Sequence, residues 1–139
     1  VRDLAHELND LVLTLNRSAE RRLAPLGLTF RRFLALTIIG EHPGLTGRDL
    51  SGAIGITEAA GSGLVRALMA DHLVLDVAPT GSGNRRRLQL SDTGEDLLRR
   101  SGEALGDSFD AFVASLDIDP RTLAETVHTI TTALKADSR

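Results

Sequence analysis

Residues 46–87 read TGRDLSGAIGITEAAGSGLVRALMADHLVLDVAPTGSGNRRR. Thr46-Gly47-Arg48-Asp49 is an N-cap with an acid three residues on, so it predicts a short helix running through Leu50 that Gly52 and Gly55 break. Thr57 caps a second helix whose buried face falls on Leu64, Val65 and Leu68. Two β-rich runs follow, 73–77 and 86–90, on either side of the turn Pro79-Thr80-Gly81-Ser82-Gly83-Asn84, and runs of that kind pair as a hairpin. A short helix, a turn, a second helix and a two-stranded wing directly behind it make a winged helix-turn-helix.

Upstream, Leu4, Leu8, Leu11, Leu15 and Ala19 are spaced for one helix from Asp3 to Ala24, ended by Pro25 and Gly27. Another helix is expected from Thr29 to Glu41, with Phe30, Phe33, Leu34 and Ile38 on one face, before a turn at His42-Pro43-Gly44. Downstream, Asp92 with Glu95 opens a long helix carrying Leu97, Leu98, Leu105, Phe109, Phe112 and Val113. Asp119-Pro120, a cap followed by proline at the first helical position, starts the last helix, with Leu123, Val127, Ile130 and Leu134. The expected fold is mainly α with a small β-hairpin wing. Residues 1–139 form a single domain: a winged-helix lobe over 26–94, flanked by dimerisation helices over 1–25 and 95–139.

Of the 139 residues 42% are hydrophobic and 25% charged, an ordinary globular balance. The net charge of −3 is uneven: residues 26–100 hold nine Arg against eight acids, and residues 101–139 hold three basic residues against seven acids. The middle of the chain is therefore where a polyanion docks. Without cysteine there is no disulfide scaffold and no thiolate zinc site. No apolar run approaches the roughly 20 residues of a membrane span. Residues 1–7 carry acids and no apolar core, so a signal peptide is not expected and the cytoplasm is.

Leu28-Thr29-Phe30, Phe33-Leu34-Ala35-Leu36, Pro43-Gly44-Leu45-Thr46, Asp49-Leu50, 64–68, His72-Leu73-Val74, the arginine-bearing wing and Leu90-Ser91-Asp92-Thr93-Gly94 stand in an order and spacing that resembles the MarR family of bacterial transcriptional regulators. The resemblance runs from about Leu26 to Leu98. It implies a homodimer with interlocked terminal helices that reads a pseudo-palindromic operator in double-stranded DNA, commonly as a repressor. It also implies a response to a small aromatic or phenolic effector bound between the first helix of one subunit and the second and fifth of the other lobe. The chain departs from the family at Ala59-Ala60-Gly61-Ser62-Gly63, which is poor in base-reading groups. It also has Ser82-Gly83-Asn84 before the wing arginines, where an Asp is usual.

The candidate DNA-binding residues are Thr46, Arg48, Thr57, Glu58, Ser62, Arg66, Arg85, Arg86 and Arg87. Hydroxyls donate to phosphate, Arg binds phosphate or guanine, and Glu58 can accept from a cytosine amino group. Each has a plainer alternative: Thr57 as a helix cap, Glu58 as a charge suited to the helix dipole, Arg66 paired with Asp71, the wing arginines as a solvated turn. On a strand at most two of the three wing arginines face one target. Candidate effector contacts are His6, Arg17, Phe30 and Phe33, where Arg clamps a carboxylate and the rings cover its apolar face, or else the rings are ordinary core. Leu4, Leu8, Leu105, Phe109, Phe112, Leu123, Val127, Ile130 and Leu134 are expected at a dimer interface, since so large an apolar stripe marks association. The four histidines form no short metal spacing, no catalytic motif appears, and neither metal nor cofactor nor enzymatic activity is expected. The alternative function is a winged-helix module that binds protein.

Overall fold

Helix starts are fixed by side chains that the sequence places where a free backbone N–H needs an acceptor. Asp3 caps α1 (Leu4–Leu23), Thr29 caps α2 (Phe30–Glu41), Thr57 caps α4 (Glu58–Ala70) and Asp119 caps α7 (Pro120–Asp137). The computed structural model describes residues 2–81, 85–106 and 108–138. Between these helices lie a 3-10 turn (Ala24–Leu26), β1 (Leu45–Thr46), α3 (Gly47–Ile54), β2 (Val74–Asp76), β3 (Arg87–Leu90), α5 (Asp92–Leu105) and α6 (Ser108–Ser115).

The chain divides into two compact units, Val1–Leu105 and Gly106–Arg139. The first is the winged helix with α1, α2 and α5. Its core is Leu23, Leu28, Ala35, Leu36, Ile39, Leu50, Val65, Leu68, Leu73, Val74, Leu88 and Leu90. In the second, α6 packs against α7 and leaves Phe109, Phe112, Leu123, Val127, Ile130 and Leu134 exposed. Among the described residues no single helix is long and apolar enough to cross a membrane.

The wing is part of a three-stranded antiparallel sheet of order β1-β3-β2, with Leu45 opposite Leu88, Thr46 opposite Arg87 and Val74 opposite Leu90. The sequence pattern shows only the hairpin; β1 is two residues long and is defined by a partner forty residues away. The tip expected at Ser82-Gly83-Asn84 lies outside the described residues.

Three local expectations are corrected. Gly52 does not break α3, which continues to Ile54 and stops at Gly55, whose φ of 83° a residue without Cβ tolerates. The long helix from Asp92 stops at Leu105, with Gly106 at φ 60°, and restarts as α6, so Leu97 to Val113 is not one stripe. The cap of α5 is Ser91, not Asp92: the Ser91 hydroxyl accepts from Gly94 N–H at 3.0 Å and donates to His72 O at 2.6 Å. His72 itself sits at φ 61° and ends α4.

Candidate nucleic-acid interface

The start of α3 and its crossing with α4 are held tightly. Thr46 and Asp49 form a reciprocal capping box: Thr46 Oγ1 accepts from Asp49 N–H at 3.1 Å, and Asp49 Oδ2 accepts from Thr46 N–H at 3.3 Å. Those bonds, helped by Arg87 and Arg48 nearby, hold the Asp49 carboxyl below its ordinary range. A Cβ on Gly61 would fall on Ser51 Oγ, so the glycine lets α4 cross α3 at close range. Gly63, two residues on, has open space around it.

This geometry sets the direction of the second helix. Val65 and Leu68 are buried with Gly61, Leu64 is half-buried, and Glu58, Ser62 and Arg66 face outward. Thr57 Oγ1 accepts from Ala60 N–H at 3.1 Å, so Thr57 is the helix cap, a bond that does not use its hydroxyl proton. Arg66 makes no hydrogen bond or ion pair among the described residues. The pairing of Arg66 with Asp71 considered from the sequence does not form, because Arg32 on α2 takes Asp71 at 3.1 Å. Arg48 Nε, at the start of α3, lies 3.2 Å from Glu58 Oε1 at the start of α4. Both side chains are largely exposed, 85% and 71%, so the pair adds little stability. Its effect is to cancel two opposite charges at the front of the turn.

The arginine triplet separates into three roles. Arg87 pairs with Thr46 across the sheet and donates from Nη1 to Gly44 O at 3.3 Å. Arg86 reaches back to α4, with Nη1 3.5 Å from Met69 Sδ. Arg85 is exposed, and its side chain has no partner among the described residues. The acid at the base of the wing is Asp76 on β2. Its Oδ1 accepts from Ala78 N–H at 2.9 Å and from Arg87 N–H at 3.1 Å, and these two bonds hold its carboxyl below the ordinary range. Sequence reasoning sought an acid just before the arginines and missed one eleven residues upstream; an Asp closing the first strand ahead of a glycine-rich turn was its signal.

The four effector candidates are not brought together. The Phe30 and Phe33 rings lie 6.2 Å apart, yet they line different concavities, and His6 and Arg17 are exposed on α1 and line neither. Leu105 packs against the core of the first unit and Leu8 is half-buried, whereas Leu4, Phe112 and Leu134 are exposed. Among the described residues no three His, Cys, Asp or Glu side chains are grouped to hold a metal ion.

No protein-family model matches the chain, and no curated protein sequence does. Solved structures do. A MarR family protein of Mycobacterium tuberculosis in complex with salicylic acid is 23% identical, with 96% of this chain and 97% of that chain covered and a TM-score of 0.71. The M. tuberculosis transcriptional regulator MosR in complex with DNA is 21% identical, covering 97% and 98%, with a TM-score of 0.73. The transcriptional repressor CouR bound to a 23-mer DNA duplex is 19% identical, covering 96% and 92%, with a TM-score of 0.80. The chain has the fold of these MarR-type regulators.

Proposed function

We propose that this chain is a DNA-binding transcriptional regulator, a ligand-responsive repressor that acts as a homodimer on a pseudo-palindromic operator. The observation that carries the reading is the outward geometry of the lobe. α4 presents Ser62 and Arg66 on its open face, and the wing presents Arg85 as a cation without a partner among the described residues. A recognition helix enters the major groove with a basic hairpin beside it, and Arg contacts to phosphate or to a narrow minor groove supply affinity. The solved structures of the same fold with DNA support this assignment.

Phe109, Phe112, Leu123, Val127, Ile130 and Leu134, all exposed on the second unit, support the homodimer. Leu4 on α1 of the first unit is also exposed and is a further candidate for contact between protomers. Two lobes then meet half-sites separated by one helical turn of about 34–36 Å. A small molecule that prefers one separation of the recognition helices over another shifts operator affinity by that preference and by nothing else. The chain works by binding rather than by catalysis, without cofactor or metal, and in the cytoplasm.

Titration of duplex DNA at several salt concentrations tests the reading. Binding by phosphate contacts gives a linear fall of log affinity with log salt. If the folded dimer shows no salt-dependent affinity for any duplex, the lobe is a protein-binding module instead.

A further inference from the structure

In the first unit, α2, the end of β3 and α5 surround an open cavity of about 560 Å³. Its floor is apolar. Phe33 contributes a ring, and the bare backbone of Gly40 lets Leu90 and Leu98 close in: a Cβ there would stand 3.1 Å and 3.2 Å from their methyl carbons. The Thr37 hydroxyl on the wall is already spent, donating to Phe33 O at 2.9 Å.

The charges on the rim do not balance. Arg99 is the cation there, and its two terminal nitrogens bond Asp96 at 2.7 Å and Glu103 at 2.9 Å, while Arg100 shares Asp96 at 3.5 Å. Those four side chains neutralise one another. Glu41 and Glu95 also line the cavity, and neither carboxylate has a hydrogen-bond or ion-pair partner among the described residues. The two differ in setting. Glu95 lies in the first turn of α5, where the positive helix end offsets its charge; Glu41 is the last residue of α2, where the negative end adds to it.

We propose that this cavity takes a small organic cation with an apolar, aromatic body, and discriminates against the aromatic carboxylate that the family resemblance implies. A quaternary ammonium gains from the unpaired carboxylates and from the face of Phe33, and its rings cover Leu90 and Leu98. A carboxylate finds no free cation on these walls and meets two like charges. That such a ligand is the effector rests on the DNA-binding reading; that it occupies the cavity does not.

The test is an NMR titration of the full chain with phenyltrimethylammonium and with benzenesulfonate, ligands of similar shape and opposite charge. The ammonium should shift Phe33, Leu90 and Leu98 signals saturably, with benzenesulfonate weaker by about tenfold or more. Glu41→Gln should weaken the ammonium more than Glu95→Gln, and the double variant should remove most of the charge preference. Both side chains are exposed, so the variants fold. Equal or tighter binding of benzenesulfonate at those residues would overturn the assignment. So would a preference unchanged in the double variant, or shifts that never saturate. A chain that binds the ammonium here but holds no DNA keeps the cavity assignment and removes the regulatory reading.

Discussion

Replacing Gly61 with alanine should destabilise the first unit even though alanine is the better helix former. The added Cβ would land on Ser51 Oγ and stand 3.0 Å from Ser51 Cβ, and Ser51 is buried at the α3–α4 crossing. The serine must then rotate and give up its bond to Gly47 O, now 2.9 Å, at a cost of about 1 kcal/mol. Overpacking of the crossing costs roughly 1–3 kcal/mol more. Against this, Gly→Ala in a helix interior returns about 1 kcal/mol. The net loss is about 1–3 kcal/mol, a fall in melting temperature on the order of 10 °C for a unit of this size. Gly63→Ala is the internal control, because nothing lies within 4 Å of its added methyl group. It should gain up to about 1 kcal/mol from propensity alone. Thermal and urea melts followed by circular dichroism measure both, and Ser51→Ala in the Gly61→Ala background should restore part of the loss. If Gly61→Ala melts with or above Gly63→Ala, the close crossing is not what fixes α4.

Arg85→Ala should weaken binding to all DNA sequences and flatten the log affinity versus log salt slope by about one unit, whereas Arg87→Ala, which loses a bond to Gly44 O, should chiefly lower the melting temperature. Sedimentation should show a species of twice the chain mass at micromolar concentration, and Val127→Glu with Ile130→Glu, both on the exposed face of α7, should convert it to monomer. The folded Asp76 carboxyl titrates below its unfolded value, so its contribution is complete above the ordinary carboxylate range and is lost as pH falls from there through the lowered folded value. Asp76→Asn keeps an acceptor without the titration, and should make the loss of urea resistance between about pH 5 and pH 2 shallower.

What the sequence made legible was local. Thr29, Thr46-Asp49, Thr57 and Asp119-Pro120 each mark a helix start because the capping oxygen and the backbone N–H that donates to it lie within three residues of each other, and each is a cap in the structure. What it hid depends on partners far along the chain. β1 exists only because Leu45 and Thr46 meet Leu88 and Arg87. The two glycines of α4 look alike in sequence, yet only Gly61 faces Ser51. Three adjacent arginines read as one basic tip, but the sheet register commits Arg87 to Gly44 and leaves Arg85 outward. Arg66 and Asp71 stand five residues apart, but Arg32 on α2 takes the Asp71 carboxylate. The effector candidates also depend on distant partners: Phe30 and Phe33 are neighbours on one helix, yet within a single chain they open onto different concavities.

The central claim is that two copies of this lobe read DNA together, and a hydroxyl-radical footprint on a duplex selected by the purified chain tests it most directly. The account predicts two symmetrically related protected patches with centres about 10–10.5 base pairs apart, or a multiple of that spacing, and weaker protection with Arg85→Ala. A single patch without two-fold symmetry, or no protection at low salt by a chain that is folded and dimeric, would contradict it.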